Sequence, residues 1–141
     1  MFNFTKKNKN LDNNKTSLLS KTASLLMHAA KMDQSYTEKE KEIIKKTLID
    51  LGVNSEEINK IMIEAEENEK NSNQILDFTK DLKKTDQEFK IKLVESLWKI
   101  IYSDAKSDMF EDNLMRRLTG LLYFDKKMVG DIKEKIKKNL L

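Results

Sequence analysis

"YSDAKSDMFEDNLMRRL" runs from Tyr102 to Leu118, and "KMDQSYTEKEKEIIKKTL" runs from Lys31 to Leu48. Each stretch leaves an apolar, helically spaced segment at an aspartate, crosses a short polar loop, and enters a second helix behind a capping pair. Shifting the chain by 71 residues lays Asp33 on Asp104, Glu40 on Glu111, and Ile43 and Ile44 on Leu114 and Met115. The same shift carries Leu26 to Leu97, Leu51 to Leu122, and Ile58 and Ile61 to Val129 and Ile132 without a gap. Agreement of period and spacing with few identities reads as an internal duplication.

Helix starts are marked by capping boxes, in which a small polar side chain and a glutamate three residues on satisfy each other's orphan backbone N–H groups. Thr37/Glu40, Asn54/Glu57, Thr85/Glu88 and Asp108/Glu111 fit this pattern ahead of apolar residues spaced by three and four. The spacing predicts an all-α fold of about seven helices: two pseudo-repeated three-helix units joined by a short connecting helix over Ile75–Leu82. The fifth helix, with Phe89, Leu93, Val94, Leu97, Trp98, Ile100 and Ile101, has the broadest apolar face and belongs at the centre. The polar stretch from Glu66 to Gln74 reads as a hinge between the units.

Composition agrees with a helical domain. The 141 residues include no proline and three glycines, and 38% of them are hydrophobic. There is no cysteine, so disulfides and thiolate metal sites are excluded. No apolar run approaches the roughly 20 residues that a membrane-spanning helix needs, and no signal-peptide core follows the first methionine. Residues 1–15 read as a disordered basic tail, and 16–141 as the helical domain. The tail carries Lys6, Lys7, Lys9 and Lys15 against Asp12, which accounts for the whole net charge of +3. A charge-balanced globule is a poor nucleic-acid binder, so no nucleic-acid partner is expected. The tail, with Phe2 and Phe4, offers only weak contact with an anionic membrane surface.

The acids at the two bends admit two readings. Thr37/Glu40 and Asp108/Glu111 serve as capping boxes, favoured also by the positive end of the helix dipole. Asp33 and Asp104 sit at helix C-termini, where the dipole opposes them and an Asx-turn would repay the loss. The sharper reading is a hard divalent cation, calcium or magnesium, held by carboxylates and by carbonyls at the helix ends. Neither "DQSYTEKE" nor "DAKSDMFE" has the spacing of an EF-hand loop.

A helix ending in Asp, a short loop, a Glu seven residues after that Asp, and a leucine-rich helix closing on "LG" together resemble the TerB-like, or tellurite-resistance B, family. Relatives of that family include a domain of membrane-anchored DjlA-type co-chaperones. The resemblance covers about Thr16 to Ile136 and occurs in both copies. The family usually writes the loop as Asp-Gly-x-Ile/Val-Asp; here Gln34 and Ala105 stand for the glycine, and Thr37 for the second acid of the first copy. The resemblance implies a seven-helix, non-catalytic domain of bacterial stress resistance, suspected of binding metal ions and working through protein partners, including an integral membrane protein. Carried across residue by residue, the metal set is Asp33, Glu40, Asp104, Asp108 and Glu111. With neither a spanning run nor a signal core, the expected location is cytoplasmic, at the inner face of the membrane where the partner is membrane-bound. The alternative is a peripheral membrane adaptor docking through its basic tail.

Nothing in the remaining residues suggests an enzyme. His28 is the sole histidine, no nucleophile signal accompanies it, and three scattered glycines cannot form a phosphate-cradling loop. His28 aligns with Lys99 and is expected at a solvent-reaching position, while Trp98 is expected in the core. Arg116 and Arg117, the two arginines of the chain, suit pairing with Asp112 or Asp108, or contact with a partner. Met32, Tyr36 and Met109 lie near the bends and suit either an apolar docking patch or inward packing.

Overall fold

Helix follows helix from one end of the chain to the other. The computed structural model describes the backbone of residues 2–33, 36–72, 75–103 and 109–140, and the side chains of 15–32, 36–72, 75–103 and 113–139. Among the described residues there are seven α-helices and no strand: α1 (Phe2–Ala30), α2 (Glu38–Asp50), α3 (Ile58–Asn71), α4 (Leu76–Leu82), α5 (Gln87–Ile101), α6 (Met109–Leu121) and α7 (Lys126–Leu140). A 3₁₀ turn, Lys31–Asp33, extends the end of α1. The backbone is helical from Phe2, where the sequence suggests a disordered tail; no glycine or proline interrupts Phe2–Ala30.

Two helices form the centre. α1 packs against α2, α3, α4 and α5, and α5 packs against α1, α2 and α7. The expected broad face of α5 is buried: Leu93, Val94 and Leu97 are fully enclosed, with Trp98, Ile100 and Ile101 nearly so. From α1, Leu25, Leu26 and Met27 meet them in the same core. Burying one such side chain stabilises the fold by about 1.5–3 kcal/mol.

Polar ties set the register of these contacts. Ser24 Oγ donates to the Ala65 carbonyl at 2.9 Å, fixing α1 on α3. The Thr47 and Ser96 hydroxyls meet at 2.5 Å between α2 and α5. The Trp98 indole N–H donates to the Val129 carbonyl at 3.0 Å, fixing α5 on α7. Lys21 of α1 pairs with Asp81 of α4. Ser24, Thr47, Ser96 and the Trp98 indole thereby keep partners that they would otherwise lose with water.

Three of the predicted starts are described, and they divide. The Thr37/Glu40 capping box is present in full. At α5 the cap is Asp86, one residue later than expected: its carboxylate accepts from the Phe89 N–H at 2.9 Å, while Thr85 bonds back to the Leu82 carbonyl. At α3 the expected Asn54 box is not formed; residues 55–57 make a turn and the helix begins at Ile58 with Glu57 as an uncapped N-cap. Asp108 lies outside the described residues. The expected hinge is also corrected, since Glu66–Asn71 form the last turns of α3 and are anchored there by Glu69, which bonds Lys31; Gln74 lies outside the described residues.

Several element ends recur at an offset of 71 residues. α1 and α5 end at Ala30 and Ile101, while α2 and α6 span 38–50 and 109–121. After each of the latter pair the chain turns at a positive φ, 111° at Gly52 and 56° at Tyr123. In both turns an N–H reaches back five residues, Val53 to the Leu48 carbonyl at 2.9 Å and Phe124 to the Thr119 carbonyl at 3.0 Å. Such a bond is the mark of a helix closed by a left-handed residue. The surroundings of the two copies differ: α2 lies against α1 and α5, whereas the main contact of α6 among the described residues is with α4.

Candidate functional site

The first bend is built by the end of α1, its 3₁₀ turn and the start of α2. Thr37 adopts extended backbone and its hydroxyl accepts from the Glu40 N–H at 3.2 Å. Glu40 returns the contact: its Oε1 accepts from the Thr37 N–H at 2.8 Å and from the Thr37 hydroxyl at 3.0 Å. Glu40 is buried, 4% exposed, so this carboxylate closes a helix end from inside the fold. Of the five predicted metal ligands it alone has a described side chain. Asp33 contributes its backbone to the 3₁₀ turn and Glu111 its backbone to α6, with both carboxylates outside the described residues, as are Asp104 and Asp108 entirely. Among the described residues no three metal-ligating side chains gather.

Tyr36 sits over this bend. Its ring lies between two ammonium groups, Lys31 Nζ at 5.7 Å and Lys41 Nζ at 5.9 Å from the centroid, within the range of a cation–π contact. Its hydroxyl is out of water and has no hydrogen-bond partner among the described residues. Burial, with Glu66, Glu40 and Glu38 adding to it, pushes the phenol up to about 12. Tyr36 therefore packs against the core rather than standing in an exposed patch, while Met32 is 41% exposed. Met109 has its side chain outside the described residues.

The start of α2 reaches the end of α5. Lys39, in the first turn of α2, donates from Nζ to the Ser103 carbonyl at 2.9 Å, across from the end of α5. A cation there meets the negative end of the α5 dipole. The first turn of α2 is thus tied to Ser103, the residue that follows α5 and its C-cap. The backbone reason is the packing of α2 on α5, sealed by Thr47 and Ser96.

The other singled-out residues fall as follows. His28 is half-buried, its Nδ1 3.5 Å from Glu69 Oε1, and Lys31 Nζ reaches the second oxygen at 2.8 Å. Trp98 is in the core, stacked on Tyr102 and covered by Lys133 Nζ at 5.1 Å. Arg116 and Arg117 are exposed on α6.

The helical surface around the end of α6 carries a feature that apolar periodicity does not signal. A depression of about 740 Å³ opens between Arg116, Gly120, Tyr123, Lys126 and Val129. A second, of about 320 Å³, lies on the α4 side against Leu76, Lys80 and Lys83, and shares Gly120 and Tyr123 with the first. The available sequence signals are a glycine inside a helix pattern and the paired arginines one turn before it.

A seven-helix chain with an acid-bearing bend after its first and fifth helices is what the resemblance anticipates. A family model described as tellurite resistance protein TerB matches residues 19–134. The chain belongs to the TerB family. No curated protein and no solved structure matches it. The TerB match opens at Leu19, the first buried side chain among the described residues, and runs into α7, so it takes in part or all of each of the seven helices. No helix among the described residues is long and apolar enough to cross a membrane.

Proposed function

We propose that this TerB domain is a non-catalytic interaction module that engages a protein partner in a tellurite-resistance-type stress response, with a divalent cation tuning the bends. The observation that carries the reading is the family match over residues 19–134. The site chemistry is in keeping with it. Glu40 is engaged by Thr37, and the sole histidine stands beside Glu69 and Lys31, with no described nucleophile for it to activate. Fold alone would admit many roles, so the partner is what defines this one.

The testing experiment is affinity capture on the full chain with in-cell crosslinking and identification of retained proteins, with and without chelator. Specific retention of one or a few proteins is expected; a bait indistinguishable from an unrelated helical control contradicts the reading. Cation dependence is read separately by calorimetric titration with calcium and magnesium, comparing wild type with Asp104→Asn. Saturable heat lost in the variant is expected, and heat equal to buffer controls removes the cation from the proposal.

A further inference from the structure

Two depressions meet along the end of α6, one lined by α6 and the start of α7, the other by α4 and α6, with Gly120 and Tyr123 common to both; together they make a trough. Gly120 lies in the last turn of α6, and a Cβ built on it meets nothing within 4 Å. The glycine therefore answers no crowding within the fold, and it leaves the floor low enough for a foreign backbone to come close. Tyr123 stands beside it, 69% exposed and held at φ 56°. A bulky aromatic in left-handed backbone is uncommon, and strain of this kind gathers where a surface has work to do. Leu76, 47% exposed, adds a second apolar group to the rim.

Charge gives the trough a sign. Lys80 and Lys83 line the α4 side, Arg116 and Lys126 the other, and no carboxylate among the described residues lines either depression. Lys21, Lys31, Lys45, Lys70 and Lys92 each reach a carboxylate, whereas these four, like several other surface lysines, have no carboxylate partner among the described residues. Arginine in particular offers a planar fork suited to carboxylates.

We propose that this trough docks an acidic amphipathic helix of a partner protein. An aromatic or leucine anchor enters beside Tyr123 over Gly120, and carboxylates on either flank meet Lys80 and Lys83 on one wall and Arg116 and Lys126 on the other. A concave apolar floor between cationic walls takes a ridged helix; a flat lipid surface would leave the floor empty. The inference rests on the interaction-module reading and names where that module binds and what it recognises.

The probe is a synthetic, fluorescein-labelled peptide of about 15 residues, long enough for marginal helicity, with a Leu/Phe stripe flanked by glutamates. Comparators carry glutamine for glutamate. Binding is followed by anisotropy and by emission of Trp98, which sits behind the trough through its bond to the Val129 carbonyl. Saturable binding is expected, weakened about tenfold or more, a loss typical of a central contact, in Gly120→Phe, in the surface pair Lys83→Glu/Arg116→Glu, and in the glutamine peptide. The charge-reversed pair carries the test if Gly120→Phe does not fold, as judged by circular dichroism. The proposal is overturned by no saturable binding, by equal binding of the glutamine peptide, or by binding that both variants retain. Trough-dependent binding only to phosphatidylglycerol vesicles, or only to a second copy of this chain, overturns it equally. If captured partners persist on the trough variants, the trough fails while the interaction module stands; if wild type captures none, the module reading fails first.

Discussion

Gly52 and Tyr123 occupy the same turn 71 residues apart, the first with φ 111° and the second with φ 56°. Both follow a helix of the same length, and both are succeeded by a buried apolar residue, Val53 or Phe124, whose N–H closes the helix end. One copy meets the backbone requirement with the residue that tolerates it. The other places an exposed aromatic there, beside a helical glycine with open space above it.

Gly52→Ala is expected to destabilise the protein by about 1–2 kcal/mol, because a side chain at this φ is strained whatever its surroundings. The added Cβ would also come within 2.7 Å of Lys15 Nζ, which can move aside. Urea unfolding of the variant reads the loss as a lowered midpoint at unchanged slope.

Trp98 ties α5 to α7 through a buried N–H, stacks on Tyr102 and is 3% exposed. Trp98→Phe keeps an aromatic ring but leaves a void and removes the tie, so a loss of about 2–4 kcal/mol is expected. Thermal unfolding followed by circular dichroism measures it.

Tyr36 makes stability depend on alkaline pH. Its folded value of about 12 lies above the ordinary 10.0, so the folded chain keeps the phenolic proton where the unfolded chain releases it. The contribution is whole below pH 10 and is lost as pH rises to about 12. Tyr36→Phe should flatten that limb relative to wild type. At neutral pH it should cost little or stabilise by up to about 1 kcal/mol, since it deletes a buried hydroxyl with no partner. Urea midpoints across the alkaline range, wild type against variant, check both.

Asp81 acts at the other end of the scale. The hydrogen bond from Lys21, and then its charge, hold the carboxyl below its ordinary value. The pair therefore contributes above the ordinary aspartate range and loses its contribution as pH falls through the lowered folded value. Both side chains are more than a third exposed, so the effect is small and salt-screened. Asp81→Asn should reduce the acid dependence of the unfolding midpoint at low salt and leave it nearly unchanged at high salt.

Much of this fold is legible in the chain because helices announce themselves locally. The three-and-four spacing of α5 marks Leu93, Leu97 and Trp98 for the core, and Thr37 with Glu40 marks the start of α2 to the residue. Asn54 and Glu57 carry the same pattern and fail, because a turn over 55–57 takes up the space and the apolar stripe of α3 begins at Ile58. The polar run after Ala65 has no stripe to show, yet remains helical since Glu69 is fixed by Lys31 across α1. The first acidic bend is legible as a bend, and Glu40 proves to be a buried cap. The trough is not legible as a site: Leu76, Lys80, Arg116, Gly120 and Lys126 come from three helices, and only packing brings them to one surface.

The central claim is that the surface around Tyr123 is kept for binding at the expense of the turn that carries it. Tyr123→Gly tests this when unfolding midpoint and acidic-peptide affinity are measured on the same sample. A gain of about 1 kcal/mol in stability, from relief of left-handed backbone, together with at least about tenfold weaker binding, is the predicted result. Unchanged affinity, or a less stable protein, would contradict it.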